Sequence, residues 1–294
     1  MKTPKSSRKM TRFVPSSLLC LGLLMTGSDL TGLGPRASAQ SLANLLGYWQ
    51  FEEGTGGTTA DSSGNNLTGT LAGTPLPVWV TPSQAGLGLG ALDFSPTARV
   101  SIGNPPELQL TGPLTLTAWT LADSLSGSGR VVTKGGNSGN RGWSLGVESA
   151  GYYAFQIPGS GTTLASISTA PGTVPLGQWT HLAGVYDPSD LSMKLYINGV
   201  LAPTTLGATP VPATMFNPAT AVSIGTRSDG STRWDGQLDE VRIFNRALSL
   251  ADILSLPELA AVVPEPSTLA LCGVAAVLLG LRRFGRVRPA NKAR

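Results

Sequence analysis

Two pairs of neighbouring acids, Glu52 with Glu53 and Asp239 with Glu240, are the first residues of this chain to weigh for chemistry. Hydrolysis of a glycosidic bond needs two carboxyl groups roughly 5 to 9.5 Å apart across a bound sugar. Each pair lies in a stretch that alternates like a strand, so its members point to opposite faces and neither pair supplies both groups. The same parity sets Glu53 with Trp49 and Phe51, and Asp239 with Val241 and Ile243, turning one carboxylate of each pair toward the core. A carboxylate facing a core must be paired, hydrogen-bonded or metal-bound. The nearby loop Asp61-Ser62-Ser63-Gly64-Asn65-Asn66 is rich in oxygen, and calcium takes roughly six to eight oxygen ligands. The expectation is a structural calcium ion held by Glu53, Asp61, Asn65 and Asp239, joining the N-terminal loop to the last strand. The competing reading gives Glu53 and Asp239 backbone N–H or arginine partners and leaves Asp61-Ser-Ser-Gly as a turn.

Composition excludes two further kinds of catalysis and leaves at most one imidazole base. His181 is the single histidine, and it shares a strand face with Trp179, Ala183 and Val185, so it reads as a hydrogen-bonded strand histidine and no His-rich metal hydrolase can be built. The two cysteines, Cys20 and Cys272, sit near the ends and leave the central region without thiol catalysis or a disulfide. Sugar binding asks instead for aromatic platforms with polar side chains around a groove. The candidates are Trp143, Tyr152, Tyr153 and Trp234, with Arg141, Asn137, Asn140, Arg227, Asp229 and Arg233 on neighbouring loops, whereas Trp49, Trp119 and Trp179 read as core.

The elements that must position these groups are strands. Glycine, proline, serine and threonine recur along the whole central region and helical periodicity is almost absent. Leu114, Leu116 and Ala118 alternate with Thr115, Thr117 and Trp119, and further strands fall at 142–147, 152–157 and 162–168. In the run from Met193 to Leu201, Asn198-Gly199 supplies the two positive φ values of a type I′ hairpin. The last strand covers 234–244, Ser249 caps one short helix, and 257–263 reads as a tether.

The two ends carry addresses. Lys2, Lys5, Arg8, Lys9 and Arg12 precede an apolar run from Phe13 to Met25, and Ala37-Ser38-Ala39 offers a cleavage site, which together predict a secretory signal peptide over 1–39. The stretch between Met25 and Ala39 is long, which leaves an earlier cut open. At the other end stand Pro264, Glu265 and Pro266, then an uncharged run from Leu269 to Leu281, then Arg282, Arg283, Arg286 and Arg288. The run is short for a bilayer span, which takes about 20 residues, and the arginines would stay on the cytoplasmic side. Residues 41 to 263 are therefore expected outside the cytoplasm. They hold nine Lys and Arg against fifteen Asp and Glu, so the basic balance of the whole chain is targeting charge and predicts no nucleic-acid partner.

Two resemblances follow from these motifs. Tyr48-Trp-Gln-Phe-Glu-Glu-Gly-Thr-Gly56, Asp61-Ser-Ser-Gly-Asn65, Ala91-Leu-Asp-Phe94, Gln178-Trp-Thr-His-Leu-Ala-Gly-Val-Tyr-Asp187, Leu195-Tyr-Ile-Asn-Gly199 and Phe244-Asn-Arg-Ala-Leu248 resemble, in order, the signatures of laminin-G-like, concanavalin A-like domains. The resemblance implies an all-β jelly-roll sandwich of two antiparallel sheets over 40–255, with a linker over 256–263. It also implies that the terminal strands pair, which would bring Glu53 to Asp239. Glycosidases of this fold commonly carry Glu-x-Asp-x-x-Glu along one strand; this chain has no such pattern, so the expectation is a non-catalytic module. The tail over 264–290, with an apolar helix over 267–283, resembles the PEP-CTERM sorting signal of Gram-negative bacteria. That implies processing by an exosortase, a membrane cysteine protease, transient anchoring in the membrane, and a final place at the cell surface or outside the cell. Families with this tail are associated with exopolysaccharide and biofilm. The functional expectation is binding of polysaccharide, an exopolysaccharide or envelope glycan, with a structural or adhesive biofilm-matrix protein without a sugar site as the alternative and a glycoside hydrolase ranked third.

Overall fold

The computed structural model describes residues 42–262 apart from 83, 85, 86, 126, 137 and 138. The signal peptide, the Pro264-Glu265-Pro266 motif and the apolar run behind it lie outside the described residues. Among the described residues, no helix is long and apolar enough to cross a membrane.

The chain opens with β1 (Leu45–Trp49), β2 (Thr58–Thr59), β3 (Gly69–Ala72), β4 (Val78–Val80), β5 (Ala91–Phe94) and β6 (Arg99–Gly103). The middle contributes β7 (Leu114–Ala122), β8 (Gly129–Lys134), β9 (Ser144–Glu148), β10 (Tyr152–Pro158), β11 (Leu164–Ser168) and β12 (Thr180–Asp187). Then come β13 (Ser192–Ile197), β14 (Val200–Leu201), β15 (Thr205–Leu206), β16 (Val222–Ile224) and β17 (Gly236–Phe244), followed by the helices α1 (Leu250–Leu254) and α2 (Pro257–Val262). An eight-stranded sheet runs β14-β13-β12-β7-β17-β5-β4 with β1 also on β17, and a nine-stranded sheet runs β15-β11-β10-β9-β8-β16-β6-β3-β2. The strand pairs of both sheets are antiparallel, as a jelly-roll sandwich requires.

Alternation builds the core. Leu114, Leu116 and Ala118 of the first sheet pack with Leu145, Val147, Tyr153 and Phe155 of the second, filling the space between them. The intervening Trp119 and Leu121 face outward, where Ala183, Val185, Phe244 and the C-terminal Ile253, Leu256 and Leu259 cover them. The Asn198-Gly199 hairpin takes the expected form, with φ +50° and +74°.

Two residues in the left-handed region upset the parity expected of the acids. Phe51 has φ +52°, so β1 ends at Trp49 and the alternation does not carry on to Glu53, which is exposed. Glu240 has φ +53° and forms a β-bulge, shifting the register between Asp239 and Arg242. Leu238, Val241 and Ile243 face the inter-sheet core, whereas Asp239 lies opposite Trp119 on the outward face. The expectation that Asp239 shares the face of Val241 is therefore corrected by one inserted residue.

The expected tether is instead part of the fold. Ser249 and Asp252 form a reciprocal capping box at the start of α1, and α2 begins on Pro257, the position where a missing N–H costs nothing. Glu258 is buried and pairs with the fully buried Arg242 of β17 at 2.6 Å. Arg242 also pairs with Glu240 and lies 3.9 Å from the centre of the Tyr48 ring, whose hydroxyl donates to Glu240 at 2.5 Å. Burial works against the Arg242 charge, and Glu258 and Glu240 more than offset it, holding the guanidinium above its ordinary pKa.

Candidate functional site

The outward face of the nine-stranded sheet is polar by the same alternation that makes its inner face apolar. Ser144 and Glu148 of β9 and Gln156 of β10 fall between Leu145, Val147, Phe155 and Ile157, which point into the core. Ser144 lies opposite both Thr133 of β8 and Gln156, so the three side chains share one patch. A register shift between Arg130 and Val132 sends both Val131 and Val132 inward and leaves Arg130 opposite Gly146. A side chain at Gly146 would meet the Gly129 carbonyl at 2.2 Å, so only glycine lets the strands close here.

Above this patch lies a cleft of about 230 Å³, lined by Arg130, Lys134, Arg141, Ser144, Glu148, Gln156 and Arg227 among others. It is smaller than the roughly 300–1,000 Å³ of a pocket that encloses a drug-sized ligand. Its size suits one ring or one substituent of a longer chain. Arg130 is held from below: it donates to the Val147 carbonyl and pairs with Glu148 at 2.8 Å. Glu148 also accepts from Ser128, and Ser144 donates to Gln156 at 3.0 Å. Lys134 extends away from the patch, its ammonium donating to Asn104 Oδ1 and the Leu108 carbonyl, and burial lowers its pKa to about 8.

Arg141 and Arg227 complete the rim from two loops. Arg141 ends the connection between β8 and β9, where its own N–H and that of Gly139 both donate to the Gly161 carbonyl. Its neighbour Gly142 is required, since a Cβ there would stand 1.6 Å from the Lys134 carbonyl oxygen. Arg227 opens a tight turn closed by Gly230 N–H donating to the Arg227 carbonyl at 2.8 Å. Asp229 approaches Arg227 at 3.6 Å, while its Oδ1 accepts from the Ser231 N–H and hydroxyl. Burial lowers the Arg227 pKa; Asp229 opposes that shift, and Arg130 and Arg141 add to it.

The sequence-derived candidates divide. Arg141 and Arg227 meet at the cleft. Trp143 and Trp234 do not serve as platforms: they are 0% and 1% exposed and pack in the inter-sheet core. Trp143 falls on the parity of Leu145 and Val147, which turns its ring inward. Tyr152 is half-buried at the start of β10, opposite Glu148. Sequence reasoning missed Arg130, Glu148, Ser144 and Gln156, although the polar alternation Ser144-Leu-Gly-Val-Glu148 carries the signal for two of them.

The four residues expected around calcium are not drawn together as an oxygen cage. Asp61 accepts from the N–H groups of Tyr48, Ser63 and Leu67, folding its own loop onto β1. Glu53 accepts from the Ala60 N–H at 2.6 Å, and the Asn65 amide donates to the Leu46 carbonyl. Asp239 stands apart on the outward face beside Trp119. Among the described residues no three His, Cys, Asp or Glu side chains gather as metal ligands. These side chains therefore do not fit the ion as a shared site.

His181 is buried on the expected face, but neither ring nitrogen has a hydrogen-bond partner. Its ring meets Trp119 edge-on at 5.5 Å, and burial, with Arg242 nearby, lowers its pKa to about 3. An imidazole whose pKa lies this far below neutral is a weak general base at neutral pH.

Two antiparallel sheets with an open polar cleft on one outer face define the class as a jelly-roll sandwich. The family model of the concanavalin A-like lectin/glucanases superfamily (Laminin_G_3) matches residues 94–254, and the chain belongs to that family. A comparison with curated proteins finds no match. Among solved structures, the chain is similar to the binding domain of Paraclostridial Mosquitocidal Protein 1, at 16% identity and a TM-score of 0.56, covering 74% of this chain and 52% of that one. It is also similar to domain 4 of AbnA, a GH43 extracellular arabinanase from Geobacillus stearothermophilus, solved with arabinotriose: 19% identity, TM-score 0.51, covering 73% of this chain and 98% of that one. A third is the ligand binding domain of botulinum neurotoxin serotype D in complex with N-acetylneuraminic acid, at 16% identity and a TM-score of 0.50, covering 74% of this chain and 51% of that one. The chain thus spans about half the length of the toxin domains. At these identities the likeness is one of fold.

Proposed function

We propose that this protein is a non-catalytic carbohydrate-binding module that engages polysaccharide at the cleft between Arg130, Arg141 and Arg227. The observation that carries the reading is the open polar cleft on a lectin-family sandwich, with its hydrogen-bonding side chains already oriented by one another. Glu148, a carboxylate in the cleft, is paired with Arg130, and among the described residues that line the cleft there is no second carboxylate to serve as its catalytic partner. The sugar-bound arabinanase domain with the same fold supports the choice of ligand class. Export by the N-terminal leader, sorting by an exosortase through Pro264-Glu265-Pro266, and a place at the cell surface or in the extracellular matrix belong to the same proposal and rest on the motifs alone.

A second reading, an adhesive or structural matrix protein, is favoured by one feature. Val200 and Leu201 are 68% and 54% exposed on β14, at the edge of the eight-stranded sheet, and an exposed apolar edge strand invites protein contacts. A glycan array probed with the full-length protein separates the two. Saturable binding that Arg227→Ala weakens supports the module; no binding to any glycan moves the assignment to the matrix role.

A further inference from the structure

We propose that the cleft selects acidic polysaccharide, holding a carboxylate or sulfate oxyanion between the guanidinium groups of Arg141 and Arg227. The inference rests on the reading of the cleft as the glycan site and adds the charge class of the ligand. Residues 41–263 are acidic, with nine Lys and Arg against fifteen Asp and Glu. Four of those nine cations, Arg130, Lys134, Arg141 and Arg227, line this one cleft. A positive cleft in an acidic surface focuses the local field on an anion.

The cations are not equivalent. Arg130 is neutralised by Glu148, and Lys134 is engaged below the surface. Arg141 is exposed and its side chain makes no hydrogen bond or ion pair among the described residues. Among the described residues, Arg227 has the 3.6 Å approach of Asp229 Oδ2, an ion pair beyond hydrogen-bond length, while the other oxygen of that carboxylate, Oδ1, accepts from Ser231. Two guanidinium forks are thus left with unused donors on one rim, and the planar fork matches the geometry of a carboxylate or sulfate. Like charge from Arg130 and Arg141 also bears on Arg227, so an anion placed there relieves repulsion as well as forming hydrogen bonds.

The lining also lacks the usual alternative. Among the described residues no aromatic side chain lines the cleft, and Trp143, which immediately precedes β9, is turned into the core. Without a stacking platform, affinity for a sugar must come from charge and hydrogen bonding. The backbones of the two residues that carry the forks are each held by a hydrogen bond, Arg141 N–H to the Gly161 carbonyl and Arg227 N–H to the Thr232 carbonyl, so less ordering of these positions is required on binding.

The test is calorimetric titration of the full-length protein with polygalacturonate, dextran sulfate and uncharged dextran. The expected result is binding to an acidic polymer that Arg141→Gln and Arg227→Gln each weaken about tenfold, the loss of a charge-assisted hydrogen bond. The polygalacturonate and dextran sulfate arms distinguish carboxylate from sulfate. Lys194→Gln, which removes one exposed cation from the other sheet, is expected to leave binding unchanged. An equal loss in Lys194→Gln would mean diffuse attraction and would overturn the site. Equal binding of uncharged dextran, insensitive to Arg141→Gln and Arg227→Gln, overturns the charge class while the glycan reading stands. Failure to bind any of the three polymers, repeated on the glycan array, brings down both.

Discussion

Arg242 and Arg227 both meet carboxylates on an outward face of this sandwich, one on each sheet, and their surroundings give them opposite roles. Arg242 is sealed beneath the C-terminal helices, with Glu258 and Glu240 as partners and Tyr48 against its face. Arg227 stands at a rim, 20% exposed, with one loose carboxylate contact. In the sealed site the charges have no water to fall back on, so every partner is structurally required. At the rim, water replaces any lost partner cheaply, and the unused donors are available to a ligand. The same residue pairing is a lock on one sheet and a candidate docking point on the other.

The largest effect is expected at the lock. Glu258→Ala leaves Arg242 buried without one partner and is expected to cost about 3 to 5 kcal/mol in denaturant unfolding; a change below about 1 kcal/mol would show that α2 is a passive tether after all. Trp143→Ala is expected to cost about as much, because it empties core volume, and a stable variant that merely lost glycan binding would restore Trp143 as a platform. At the rim the pattern inverts. Arg141→Gln is expected to change stability by less than about 0.5 kcal/mol while weakening polysaccharide binding. Addition of a chelator is expected to leave the melting temperature unchanged, since Glu53, Asp61 and Asp239 are apart and Glu53 and Asp61 have backbone partners; a fall in melting temperature would return calcium to the account.

Between lock and rim, the outward face around Trp119 makes a prediction about pH. His181 and Asp239 lie opposite Trp119 from either side, on β12 and β17. Burial pushes Asp239 up from 3.8 to about 10, with Glu240 adding to the rise, so the folded chain keeps a proton that the unfolded chain releases. Stability from this group is present below 3.8 and is lost as pH rises toward 10. Burial pushes His181 down from 6.5 to about 3, so the unfolded chain takes up a proton that the folded chain refuses. Stability from this group is present above 6.5 and is lost as pH falls toward 3. The two terms oppose each other between 3.8 and 6.5; above 6.5 the Asp239 term alone of the two still changes, until Lys134, whose pKa burial lowers from 10.5 to about 8, begins to oppose it. Melting temperature is therefore expected to decline from neutral pH to about 8, and Asp239→Asn is expected to flatten the decline. A slope that survives in Asp239→Asn would place its origin elsewhere.

Local rules read well wherever one strand's alternation or one turn's chemistry decides the outcome. Leu114, Leu116 and Ala118 against Trp119, the Asn198-Gly199 turn and the Ser249 cap are all set by neighbours in sequence. Parity failed at Glu53 and Asp239 because a single left-handed residue, Phe51 or Glu240, ends or shifts the alternation, and nothing in the local residue types marks either as left-handed. The cleft was half legible: Arg141 and Arg227 are visible as loop arginines, but Arg130 and Glu148 join them only through the pairing of β8 with β9.

The chain by itself determined that this is an all-β sandwich with no cysteine and a single histidine in its central region, because composition and period-two alternation act over a few residues at a time. Only the tertiary structure decided which charged groups are sealed and which are open. That choice depends on strands far apart in sequence meeting in register, as when Glu258 closes over Arg242 and a loop ending at Arg141 settles beside the turn that begins at Arg227.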